Sequence, residues 1–115
     1  MRYMMLMYAD ETIQFSPEEQ QELMRDWGEF NKEIEASGVL LASGGLLSIT
    51  NATTLRVRDG KTLTADGPFA ETHEQLGGFV QVDCKDLDEA LSWAAKIPHA
   101  KYGCVEVRPM WTPGM

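Results

Sequence analysis

Asp66, Glu71, His73, Glu106 and Arg108 are the side chains whose type and spacing could hold a charged ligand or move a proton. His73 stands between Glu71 and Glu74, and carboxylates on either side stabilise an imidazolium and bring its titration near neutral pH. Asp66 opens the run Asp66, Gly67, Pro68, Phe69. Its carboxylate is expected to accept from amides two or three residues ahead while Gly relieves strain and Pro fixes the bend. That is turn chemistry, and the same amides with Glu71 and His73 could line the mouth of a pocket. Glu106 and Arg108 are alternate residues of one strand, so they share a face about 7 Å apart. Such a pair suits either a salt bridge across a dimer or contact with a polar ligand.

Other reactive residues point less far. His99 lies in the loop before the last strand and reads as solvated. Arg56 and Arg58 read as a solvated hairpin face with the capacity to clamp an anion. The two histidines are far apart with no tight carboxylate spacing, so no metal site is expected. Neither Gly44 and Gly45 nor Gly77 and Gly78 fit a GxGxxG or GxxxxGK phosphate loop, and there is no nucleophile elbow. No cofactor is therefore expected. Cys84 and Cys104 are too few for a disulfide scaffold and too far apart for a CxxC pair.

The elements that must position these groups follow from hydrophobic periodicity. Residues 2–8 are apolar at both parities, with Tyr3, Met5 and Met7 on one face and Met4, Leu6 and Tyr8 on the other, as in a central strand covered on both sides. Ser16, Pro17 and Glu19 form a capping box with Pro at the first helical position. Leu23, Trp27, Phe30 and Ile34 then give one apolar stripe on a helix to Ser37, with Gly38 as its cap. Residues 39–47 read as a second strand in which Gly44 and Gly45 mark a bulge or a close backbone approach. Asp59 and Gly60 between residues 53–58 and 61–65 predict a type I′ hairpin. A strand over 79–83 and a second helix follow. Asp86 with Glu89 starts that helix, Leu87, Ala90, Leu91 and Ala94 form its apolar face, and Pro98 stops it. The last strand covers 104–108, ended by Pro109.

This β-α-β, hairpin, β-α-β order is the split pattern of an α+β ferredoxin-like fold, βαββαβ with an inserted hairpin. Both helices then cover one sheet face. The other face receives Phe79, Gln81 and Asp83 with Cys104, Glu106 and Arg108, plus one parity of the first strand. A half-apolar open face predicts a homodimer joined sheet to sheet. Cys84 and Cys104 fall at opposite ends of that sheet, which predicts no disulfide.

Length and composition agree. The 115 residues suit a single domain, 1–115, with one core. Eighteen Asp and Glu against ten Lys and Arg give a net charge of -8, which disfavours nucleic acid and favours solubility. The apolar run at the start stops at Asp10 and Glu11, too short for a signal peptide or membrane span. No membrane association and a cytoplasmic location are expected.

The stretch DGPFAETHEQLGGF at 66–79 resembles the signature of DGPF-domain proteins, a branch of the YCII-related family. DLDEALSWAAKIP at 86–98, AKYGCVEVRP at 100–109 and TTLRVRDG at 53–60 are similar to that family too. The resemblance implies a ferredoxin-like subunit in a dimeric α/β barrel. Some DGPF genes lie beside sigma-factor genes. YCII-type relatives are proposed enzymes built on a His and Asp pair, with the His early in the first helical region. Here no His occurs between Pro17 and Ser37, and Ile97 stands beside Pro98 where relatives tend to carry Asp, so that pair is not carried over.

Two functional readings stand side by side. One is a dimer whose inter-sheet or loop-lined cavity takes a small organic molecule, with acid and base chemistry by Asp66 or His73 and contacts from Glu71, Glu106 or Arg108. The other is a non-catalytic accessory or regulatory module that contacts a protein partner such as a sigma factor.

Overall fold

The computed structural model describes residues 1–114. Six strands, two α-helices and two short 3-10 turns follow in the order β1 (Arg2–Ala9), α1 (Pro17–Ser37), β2 (Leu40–Gly45), β3 (Thr53–Arg58), β4 (Lys61–Asp66), β5 (Gln75–Asp83), α2 (Leu87–Ala94) and β6 (Cys104–Pro109), with the turns at Ile49–Asn51 and Pro98–Lys101. β1, β2, β5 and β6 make one sheet of order β2-β5-β1-β6, antiparallel throughout. This is the ferredoxin-like arrangement expected of the chain.

β1 occupies the centre because both of its faces are apolar. Tyr3, Met5, Met7 and Ala9 are buried under the helices, while Met4, Leu6 and Tyr8 are half-buried on the open face. Val80 and Val82 of β5 join the covered side, and Val105 and Val107 of β6 pack against it. From α1, Phe30 and Ile34 enter the core with Trp27 beside them. The capping box of α1 is formed: Glu19 N donates to Ser16 Oγ at 3.2 Å and Ser16 N donates to Glu19 Oε1 at 3.0 Å. Gly38 closes the helix at φ 83°.

The structure corrects several expected details. The irregularity in β2 falls between Leu40 and Ala42, not at the glycines. At Gly44 there is a close approach instead, since a Cβ there would lie 2.9 Å from Phe79 Cε1. β2 also ends before Leu46 and Leu47, which leave the sheet exposed. β5 starts at Gln75 because Gln75 to Gly78 pair with Ala9 to Met7, and the glycine pair conceals this extension in the sequence. On α2 the buried residues are Ala90 and Ala94, while Leu87 and Leu91 sit at its exposed border. Small alanines let this helix lie close on the sheet, so the larger leucines are displaced to the rim.

β3 and β4 form a separate two-stranded sheet turned by Asp59 at φ 53° and Gly60 at φ 73°, the two positive φ values that a type I′ turn needs. Every residue of β4 is exposed. Cys84 is buried and Cys104 exposed, both free. Cys84 lies by Met1 and Cys104 opposite Tyr8, at the two ends of β1. Among the described residues no helix is long and apolar enough to cross a membrane.

Candidate functional site

The hollow with the most distinct chemistry lies between α1 and the end of the sheet formed by β2 and β5. It has a volume of about 300 Å3, with Trp27, Phe30 and Ile34 on its helix side and Met7 and Val80 on its sheet side. Gly44, Gly45 and Gly77 also line it, so strand backbone forms part of the wall, and at Gly77 a side chain would enter the space. A Cβ on Gly77 would already touch His99 Nε2 at 3.5 Å. Anything longer there would enter the space beside the imidazole.

His99 is held in this wall by its own segment. Ile97 and Pro98 are buried, and the His99 carbonyl accepts from Gly103 N at 2.8 Å and Tyr102 N at 3.3 Å. In a 3-10 turn, positions three apart eclipse. That brings the Tyr102 hydroxyl to 3.2 Å from His99 Nδ1. The Trp27 ring meets the imidazole edge-on at 5.9 Å between centroids. Burial lowers the His99 pKa and raises that of Tyr102, because each loses hydration of its charged form. His99 is the titratable group among the described residues lining this cavity. At neutral pH the site therefore offers a neutral imidazole whose Nδ1 is engaged, with Asn31 and Ser43 as further polar groups in an otherwise apolar wall.

His99 is thus half-buried beside aromatic rings, where the sequence suggested a solvated loop residue. The spacing of His99 and Tyr102 around a turn started by Pro98 was the available signal. What it does not reveal is that α1 lies over that turn.

The residues singled out from the sequence are not gathered here. Asp66 ends β4, exposed. The turn after it is held by Gly67 N donating to Ala52 O at 2.7 Å and Thr54 Oγ1 donating to Gly67 O at 2.8 Å, rather than by the Asp66 carboxylate. Glu71 and His73 are exposed in the following loop. His73 lies near Asp10, whose carboxyl is held below its usual value first by the Thr12 hydroxyl, then by the Thr12 amide, and more weakly by His73. Glu106 and Arg108 are exposed on the open sheet face, directly across from Leu6 and Met4 of β1. Arg56 and Arg58 lie on the hairpin. Among the described residues no group of three or more His, Cys, Asp or Glu could hold a metal ion.

A second, wider hollow of about 770 Å3 lies beyond the end of the sheet. Leu46, Leu47 and Phe69 form its rim, Tyr8 and Leu76 continue it into the open face, and Glu74 supplies its charge. Cys104 Sγ points to Glu74 Oε1 at 4.0 Å.

Comparison with known proteins gives three findings. The chain is 42% identical over 120 residues to the uncharacterised protein R00369 of Rhizobium meliloti (strain 1021), covering 99% of this chain and 97% of that one. In fold it is similar to the 5-chloro-2-hydroxyhydroquinone dehydrochlorinase TftG of Burkholderia phenoliruptrix AC1100, solved in complex with 2,5-dihydroxybenzoquinone. The TM-score is 0.51 at 14% identity, over 99% of this chain and 96% of that one. Residues 1–112 match the YCII-related domain, and with nearly the whole chain spanned by that match the protein belongs to the YCII-related family.

Proposed function

We propose that this protein binds a small, uncharged and largely apolar organic molecule in the cavity between α1 and the sheet, with His99 as its polar and proton-handling contact. The observation that carries this reading is the glycine-cleared space of about 300 Å3 with a neutral imidazole in its wall. That volume sits at the small end of ligand cavities, and a mainly apolar lining with few convergent polar groups is their usual composition. A ligand hydroxyl or enol within reach of His99 could pass it a proton, which is simple acid and base chemistry. Oxygenated ring compounds, the class found with the dehydrochlorinase, are the first to test. In this reading the protein is a homodimer whose open sheet faces cover each other. Glu106 and Arg108 then serve the subunit contact, and Asp66, Glu71 and His73 remain outside the site.

The test is a thermal-shift screen of hydroxylated and carbonyl ring compounds, where a ligand at a hundredfold its Kd adds about 2.7 kcal/mol. A shift lost in His99→Gln and in Gly77→Val but kept in Arg108→Ala supports the cavity. A shift kept in the first two and lost in Arg108→Ala or Asp66→Ala moves the site to the open face or the DGPF turn. No shift across the panel overturns the proposal.

A further inference from the structure

The chain exposes more surface than a compact monomer of its mass. Its accessible area is 8147 Å2, against about 6,300 Å2 for a folded monomer of this size. Its radius of gyration is 16.5 Å, where about 13 Å is usual for this length. The excess of about 1,800 Å2 is roughly twice the ~800 Å2 that each partner contributes to a standard interface.

The hairpin accounts for part of this and has two unlike faces. Residues directly opposite in an antiparallel pair share a face. Leu55 lies across from Thr64 and Val57 from Thr62, making a face that is uncharged except for Asp66 at its base, opposite Thr53; Arg56 lies across from Leu63 and Arg58 from Lys61, making a cationic one. Leu55 is 60% and Val57 55% exposed. A two-stranded ribbon is marginal in water unless its apolar face is covered.

The wide trough beside Phe69 is the matching surface. Leu47 and Phe69 on its rim are 80% and 78% exposed, its apolar wall runs into the open sheet face through Tyr8 and Leu76, and its charged residue is Glu74. The hairpin tip carries Arg56, Arg58 and Lys61 against Asp59, in a chain of net charge -8. The net positive tip favours approach to another, acidic copy of this chain, while the cationic face itself stays outside the seat. Thr53 and Thr54 at the hairpin base line the chain's own trough, but Leu55 and Val57 are not part of its lining.

We infer that the hairpin is a clasp that seats Leu55 and Val57 in the Leu46, Leu47 and Phe69 trough of a second copy, with the second copy's hairpin returning the contact. The dimer itself belongs to the function proposed above; the clasp and its seat go beyond it.

Two differently tagged versions of the full chain, both carrying Cys104→Ser, test the contact by mild oxidation. One carries Leu55→Cys, the other Phe69→Cys. A disulfide between the two tags is expected, with none when Phe69→Cys is replaced by Met24→Cys on α1. Equal yields in both pairings, or none in either, overturn the clasp. Light scattering of the folded double variant Leu55→Asp, Val57→Asp is the second measurement, with a dimer dissociation constant raised at least 10-fold expected. A double variant as dimeric as the parent overturns the clasp and leaves the sheet-to-sheet dimer standing, whereas a parent protein that is monomeric throughout overturns both.

Discussion

At the scale of single residues, the proposed chemistry depends on His99 staying neutral. Its folded pKa lies below the ordinary imidazole value because of burial, while in the unfolded chain it titrates near about 6.5. Above that pH both states are neutral and His99 adds no pH dependence. As pH falls below it the unfolded state binds more protons, so stability declines until the pH passes the folded value. Melting temperatures of the parent and His99→Gln from pH 8 to pH 5 are expected to diverge only on the acid side, with the variant less acid-sensitive. Tyr102 has the opposite sign. Its raised folded pKa predicts stability lost as pH rises through about 10, where the unfolded phenol ionises first, and Tyr102→Phe should flatten that limb. The site was the least legible part of the sequence. His99 carries no motif, and its surroundings are assembled from α1, β2, β5 and the turn before β6, which no local pattern connects.

At the scale of elements, most of the fold was legible because its signals are local. The Ser16 cap, the Gly38 terminator and the Asp59 and Gly60 turn each act through their own neighbours. Ser16→Ala should cost about 1 kcal/mol and lower Tm by roughly 4 °C, as read by calorimetry. Less legible were features set by a neighbouring strand. Gly103 looked like a loop residue, yet a Cβ on it would collide with the Tyr8 carbonyl oxygen and press on Ala9 at 3.0 Å. Backbone cannot yield as a flexible side chain does, so Gly103→Ala should cost about 3 kcal/mol or more. Gly78 is similar, since its Cβ would lie 2.8 Å from both the Gly44 carbonyl oxygen and Met7 Cε. Denaturant titration of the two variants should show both less stable than the parent. The start of β5 at Gln75 went unread for the same reason: the pairing that makes 75–78 a strand is supplied by β1.

At the scale of the whole molecule, the open face that strand parity predicted is present, with Met4, Leu6, Tyr8 and Phe79 half-buried on it. If a second copy covers it, folding and association are one equilibrium and stability depends on protein concentration. The melting temperature is then expected to rise across a hundredfold concentration series; a constant value would count against the dimer. The central place of β1 has a further consequence, for the order of events during synthesis. Met5 pairs with Val80 and with Val107, so the strand that organises the sheet leaves the ribosome well before either of its neighbours. At about 5–20 residues per second, Val80 is added roughly 4–15 s after Met5. Throughout that interval a methionine-rich segment, apolar on both sides, has neither of its strand partners. The central pairing of β1 with β5 therefore has to wait until most of the chain has been made.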